Sequence, residues 1–362
     1  MPSHPVKWYS SAMPGAPLLR NVAGDLIAVL DWCLVNGSAT TGVQSIVVSG
    51  GVATVTFASA HTFKKHQIIE IAGVTGALTA LNSQWRATGV TSLALTFAAT
   101  GITDGTAAGT ITCKTPSVGW QKAFSGTNKA AYRSQDVTGT RLYLRVDDTG
   151  TTTAIPTGYE SMSGVDVGTN LFQPSSNNGI YKSFSSAPAP WFVVADARSA
   201  YWCVAVSGLE ALNNVYGGGF GDFDDYAVGS HYGCVLGAYL AGQTGILSPG
   251  GAAGIVAARG YSLAPGEASL VRGATPVANG AYPNPVDSGL LTLRPVLLVE
   301  SSNVRGALRG VLEVLPNAGP AVGTIIDSGV GYDGLAIIVA TSGEDPRSGG
   351  GRRSAIDLVG PW

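Results

Sequence analysis

The sequence predicts an all-β protein: a β-sandwich or barrel-type main domain with one N-terminal helix and an inserted small β-barrel. Three observations carry this. Gly numbers 50 among 362 residues, and it punctuates short runs of Val, Ile, Thr, Tyr and Leu, the pattern of many strands joined by tight turns. Polar and apolar residues alternate through Arg141-Leu142-Tyr143-Leu144-Arg145-Val146, so one face of that strand is buried and the other open. A single stretch near the start places its apolar residues at helical spacing.

Residues 1–20, passing through Met13-Pro14-Gly15-Ala16-Pro17, hold too many prolines for regular structure. They are expected as an extended arm lying across a neighbouring subunit. The helix follows. Asn21 can cap it, Leu26, Ile27, Leu30, Cys33 and Leu34 line one face, and Asn36-Gly37 stops it.

Boundaries near 37–42 and 113–116 enclose a self-contained series of strands over 43–48, 52–57, 67–71, 85–90, 93–97 and 109–113. We read residues 43–113 as a small barrel inserted into a larger domain, with its two ends close together. The main domain is 21–42 plus 114–362. Its clearest strands fall at 141–146, 191–195, 201–206, 291–299 and 335–340.

Charged residues make up only 12% of the chain, about half the ~25% of an ordinary soluble domain. Lys plus Arg is 21 against Asp plus Glu 23, a net charge of -2, with none of the basic clustering that nucleic-acid binding draws on. The mean hydropathy is +0.23. Yet apolar stretches such as 335–340 stop far short of the ~20 residues of a spanning helix, and Met1 to Tyr9 does not read as a signal peptide. Neutral and apolar surface must therefore be covered by neighbouring subunits. A homo-oligomer is expected.

Four cysteines, Cys33, Cys113, Cys203 and Cys234, stand apart with no CxxC. They read as buried free thiols, and no metal site is expected. Gly329-Val330-Gly331-Tyr332-Asp333-Gly334 matches GxGxxG but leads into the strand-like Leu335-Ala336-Ile337-Ile338-Val339. A dinucleotide fingerprint must open a helix, so this is a hairpin turn, and no cofactor is expected. His61 and His66 flank Lys64-Lys65 on what reads as an exposed turn. Ser230-His231 lacks the spacing of a hydrolase elbow.

One weak candidate site remains. Gly217-Gly218-Gly219-Phe220-Gly221-Asp222-Phe223-Asp224-Asp225 reads as a mobile loop, anchored by Phe220 and Phe223. Asp222, Asp224 and Asp225 could contact an ion or, with Phe220, a glycan. Trp191, Tyr201, Trp202, Tyr216, Tyr226 and Tyr232 nearby could also stack on sugars, although their apolar neighbours favour a core role. No catalytic residue is assigned.

Several stretches carry a resemblance. They are Ala123-Phe124-Ser125-Gly126-Thr127-Asn128-Lys129, the run from Gly139-Thr140-Arg141 to Asp148-Thr149-Gly150, Gly158-Tyr159-Glu160-Ser161-Met162, Val304-Arg305-Gly306-Ala307-Leu308-Arg309-Gly310 and the closing Ala355-Ile356-Asp357-Leu358-Val359-Gly360-Pro361-Trp362. With the opening Val6-Lys7-Trp8-Tyr9-Ser10, they resemble a family of structural proteins of tailed-phage virions. The likeness covers nearly the whole chain outside residues 43–113. Arg309 departs from it, standing where the family's segment has proline. The insertion resembles small β-modules common in phage proteins, through Gly51-Val52-Ala53-Thr54-Val55-Thr56, His61 and the turn from Phe97 to Gly105. Those modules borrow the name of a half-domain of the ubiquitin-activating enzyme, but these are turn and strand residues and imply no ubiquitin chemistry.

The resemblance implies a non-enzymatic structural subunit of the virion, in tail, baseplate or collar, assembled in the bacterial host cytoplasm with other virion proteins as partners. A capsid decoration or minor head protein, and a tail module binding a host surface glycan, are the alternatives. A depolymerase would need two carboxylates flanking a cleft, which only Asp222, Asp224 and Asp225 could offer.

Overall fold

The structure is a computed structural model describing residues 4–173, 179–183, 185–205, 215–227, 232–238, 246–247, 255–262, 269–273, 292–315, 320–329, 332–340 and 353–362. Its fold is all-β, as the composition predicts. Antiparallel strands form three sheets of twelve, eight and six, and Asp25–Leu30 is a short α-helix.

Six strands of the largest sheet close into a ring. Val215–Asp225 is followed by Cys234–Gly237, Ile255–Ala258, Ser269–Gly273, Thr292–Glu300 and Asn303–Leu315, and the last returns to the first through Phe223↔Leu308 and Asp224↔Ala307. Closure gives each strand of the ring a neighbour on both sides, so the ring itself has no free edge. Lys7–Ser10, Trp191–Ala195 and Ser199–Ala205 continue the sheet on one side, and Arg353–Asp357, Tyr332–Ala340 and Ile325–Gly329 on the other.

The glycine run is a strand, not a mobile loop. Glycine inside a strand often marks a close approach by a neighbouring group. A Cβ at Gly218 would lie 2.4 Å from Trp202 Nε1, and one at Gly219 2.4 Å from the Tyr201 ring. The run makes room for aromatic rings of the adjacent strand.

The opening segment also differs from expectation. Lys7–Ser10 pairs with Trp191–Ala195 of its own chain, Trp8 opposite Val194. Val6, Trp8, Tyr9, Met13 and Leu19 lie in the main core. Each large side chain gains roughly 1.5–3 kcal/mol by full burial; four of these sit between Pro5 and Pro14, and Leu19 follows Pro17. The prolines set the path, and the apolar residues fix it to the molecule.

The helix starts later than Asn21 suggests. Gly24 precedes it with φ 88, and Asp148 Oδ2 accepts from the amides of Leu26 and Ile27 at 2.9 and 3.2 Å. Asp148, just past the end of the strand Tyr143–Asp147, thus does the work of an N-cap from far along the chain. After Leu30 the helix widens into a π segment over Asp31–Asn36 and ends at Gly37.

In the six-stranded sheet, Gln121–Gly126, Lys129–Arg133, Tyr143–Asp147, Thr153–Gly164 and Val167–Phe172 lie side by side. Tyr132, Leu144, Val146 and Phe172 from one face join the main core. The strand expected from 141 begins at Tyr143, because Arg141 takes a left-handed φ of 56.

The eight-stranded sheet runs from Thr41–Gly42 to Thr112–Lys114 and has a core of its own, including Ile46, Val55, Phe57, Ile69, Trp85 and Phe97. Thr41 pairs with Cys113, setting the ends of this segment side by side. A polar seam joins it to the rest. Trp8 Nε1 and Arg86 Nη1 each donate to the His66 carbonyl at 3.0 Å, and Arg86 Nη2 donates to the Leu358 carbonyl at 2.8 Å. All four cysteines are free and buried, and burial pushes each thiol up, Cys203 to about 12.

Candidate functional site

The three carboxylates singled out in the sequence sit at the end of the strand Val215–Asp225. Side chains alternate across a strand, so Asp222 and Asp224 share one face and Asp225 the other. Each meets an arginine, Arg198 from a turn and Arg305 and Arg309 from the strand Asn303–Leu315.

Asp222, with 4% of its side chain exposed, accepts from Arg198 Nε at 2.8 Å. Thr140 binds the same carboxylate through its amide at 3.1 Å and its hydroxyl at 2.5 Å. Both oxygens are taken. Asp224 is the open member, its side chain 57% exposed and 3.3 Å from Arg309 Nη1. Arg309 Nη2 reaches Asp196 Oδ2 at 3.2 Å and also donates to the Trp362 carbonyl. Asp225 faces Arg305, whose other nitrogen pairs with Glu300 Oε2 at 3.1 Å. Arg305 Nη2 and Asp225 Oδ2 are 3.6 Å apart, both buried and without a hydrogen bond. The Arg305 guanidinium lies 5.4 Å from the centre of the Phe223 ring.

Burial pushes the Asp196 carboxyl up, against the pull of the Arg198 and Ser199 amides and of Arg309. Tyr201 rises for the same reason, and its hydroxyl donates to the Arg309 carbonyl at 2.8 Å. Three arginines and five carboxylates thereby tie Val215–Asp225 to Asn303–Leu315 and to the 196–198 turn. Pairs this buried bring little net stability, but losing one partner is expensive.

The arrangement gives little support to a ligand role. Phe220 is 2% exposed, stacked on Phe172 and edge-on to Trp120, so it holds the core rather than a sugar. The crevice beside Asp222, lined by Trp120, Thr140, Arg198 and Cys234, is too tight for a water molecule. Among the described residues no three His, Cys, Asp or Glu side chains are grouped to hold a metal ion. Trp191, Tyr201 and Trp202 are core residues. Tyr216 stacks on Tyr181 at 4.1 Å, Arg259 lies over Tyr232, and Tyr226 is 58% exposed.

Lys65 and His66 form the expected turn, but His61 and His66 are half-buried, His61 packing against the Phe57 and Phe63 rings. Ser230 and His231 lie outside the described residues. Of the 329–334 stretch, residues 330 and 331 lie outside the described residues; Ile325–Gly329 pairs antiparallel with Tyr332–Ala340, so a strand and not a helix follows.

Sequence reasoning missed Arg198, Asp196, Arg305 and Arg309. Only Arg309 left a trace, as the departure from proline; no turn falls there, the strand Asn303–Leu315 running on through Gly310 with a φ of 66. No protein-family model matches this chain, and no curated protein matches it.

Proposed function

We propose that this chain is a non-enzymatic structural subunit of a tailed-phage virion, in the tail, baseplate or collar, acting in symmetric multi-copy assemblies. The observation that carries the reading is the economy of charge. Only 12% of residues are charged, and the buried Lys182, Arg259, Arg305 and Arg309 are each matched to a carboxylate of the same chain. Surface this poor in charge suits large specific interfaces, whose centres exclude charged residues. Closed assemblies of like subunits supply such interfaces.

The resemblance to virion proteins points the same way. So does the engagement of Asp222, whose two oxygens are held by Arg198 and Thr140. In this reading the segment 43–113 is a module carried on the main body.

The test is direct. Purified particles from the host that makes this protein are analysed by quantitative mass spectrometry and labelled with an antibody for imaging. Many copies per particle at one symmetric location are expected. Absence from purified particles would remove the reading.

A further inference from the structure

We propose that the seam between the 43–113 segment and the main body is an acid-released latch. Protonation of His4 and His66 parts the two bodies, which keep their own cores and stay joined at one hinge.

The hinge is narrow. The chain enters and leaves the segment side by side, Ser38 N donating to the Thr115 carbonyl at 2.8 Å and Thr41 pairing with Cys113. Between these two links Ala39 and Thr40 are exposed and lie outside the strand ladder. The body side is fixed, since a Cβ on Gly37 would fall 2.3 Å from the Thr115 carbonyl oxygen. Rotation is left to the short stretch around residues 39 and 40.

Among the described residues no buried apolar cluster spans the seam. Phe57 and Trp85 belong to the segment's core, Trp8 and Tyr9 to the main one. What crosses is polar: the bonds of Trp8 and Arg86 to the His66 carbonyl, and of Arg86 to that of Leu358. Gln67, bonded to Thr115 Oγ1 at 2.6 Å, sits at the hinge itself. Hydrogen bonds exchanged for water bring little net stability each, so a modest change of charge can part them.

Each body brings one histidine to the charges of the other. His4, from the main body, is acted on by Arg86 of the segment and by Lys7. His66, from the segment, is acted on by Lys65 and Arg86 and, with opposite sign, by Asp327 of the main body. Asp357 and Tyr332 act on Arg86, and Glu70 and Asp196 on Lys7. Cations outnumber carboxylates at both rings, two to none at His4 and two to one at His66.

His4 Nε2 is buried and has no hydrogen-bond partner among the described residues. A proton there would be a buried donor without an acceptor, an unfavourable state. Burial first, then the neighbouring cations, lower both rings, His4 to about 4. Parting returns them to water and to an ordinary value of ~6.5. The closed latch is therefore intact above pH ~6.5 and loosens as pH falls toward 4.

The experiment follows exchange of indole and guanidinium protons by NMR at pH 7 and pH 4.5, each rate set against the free amino acid at that pH. Trp8 and Arg86 report on the seam. Trp85, whose Nε1 donates to the Leu81 carbonyl, and Trp120, whose Nε1 donates to that of Asp196, report on the two cores. Acid should cut the protection of Trp8 and Arg86 at least ~10-fold, with Trp85 and Trp120 unchanged. The double variant His4→Gln, His66→Asn should flatten that response; Asn suits the φ of 67 at position 66. Equal loss at all four groups would mean acid unfolding and would overturn the latch. So would loss at Trp8 alone, which is fraying of the opening segment, or a full response in the double variant.

Discussion

Lys182 Nζ lies 2.6 Å from Asp148 Oδ1, with neither side chain exposed. The ammonium also donates to the carbonyls of Val22 and Gly150, while the other oxygen of Asp148 holds the first amides of the helix. One carboxylate therefore fastens the helix to the six-stranded sheet and neutralises a buried cation.

Asp148→Ala should lower stability by about 3–5 kcal/mol, since it strands a buried ammonium and uncaps a helix together. Asp148→Ala combined with Lys182→Met should recover part of that loss. Urea unfolding of the three proteins measures it. A loss under ~1 kcal/mol in the single variant would show that the pair is not seated as described.

Acid should weaken the seam between the 43–113 segment and the rest. Burial, with Arg86 and Lys7 nearby, lowers His4 from 6.5 to about 4. A folded pKa below the unfolded value means that stability is intact above pH ~6.5 and is lost as pH falls toward 4. His4 is only partly buried, so solvent screening cuts the effect to about 1 kcal/mol. His66, lowered by burial, Lys65 and Arg86, adds in the same direction. Denaturation at pH 7 and pH 4.5 should show a smaller drop in His4→Gln than in wild type.

Replacing residues 43–112 with a short Gly/Ser link should leave the remainder folded, because Thr41 and Cys113 are already paired. Near-ultraviolet circular dichroism should keep the signal of the cluster around Trp32 and Trp191. A molten spectrum would mean that the seam at Trp8 and Arg86 is indispensable.

Asp222→Asn and Asp224→Asn should separate. The first removes a buried charge from Arg198 and should cost about 2 kcal/mol; the second changes an exposed carboxylate whose arginine keeps Asp196 and should cost under ~0.5 kcal/mol. Neither should alter degradation of host surface polysaccharide. Loss of a wild-type cleaving activity in stable protein would establish the depolymerase instead.

Strands were legible where the pattern is local. Trp191–Ala195 falls where the β-branched and aromatic run predicts it, and Val52–Thr56 follows its Gly-Gly turn. What the sequence hid was non-local. The helix cap lies 122 residues away from Leu26, and glycines beside Trp202 look like a loop until the rings of the next strand are in place. The partners of Asp222 come from 24 and 82 residues off. A carboxylate triplet shows its spacing in the sequence but not its arginines.

The ring of strands imposes an order on synthesis. Phe223 cannot meet Leu308 until the chain has been made that far, and Lys7–Ser10 waits for Trp191–Ala195. Pairings so distant along the chain fold slowly and expose open strands meanwhile. A nascent chain released before residue 308 would leave the end of that strand, Phe223 to Asp225, without its partner. Ribosome-bound fragments ending before and after that point should differ sharply in aggregation, and assembly into any larger particle can begin only once the ring has shut.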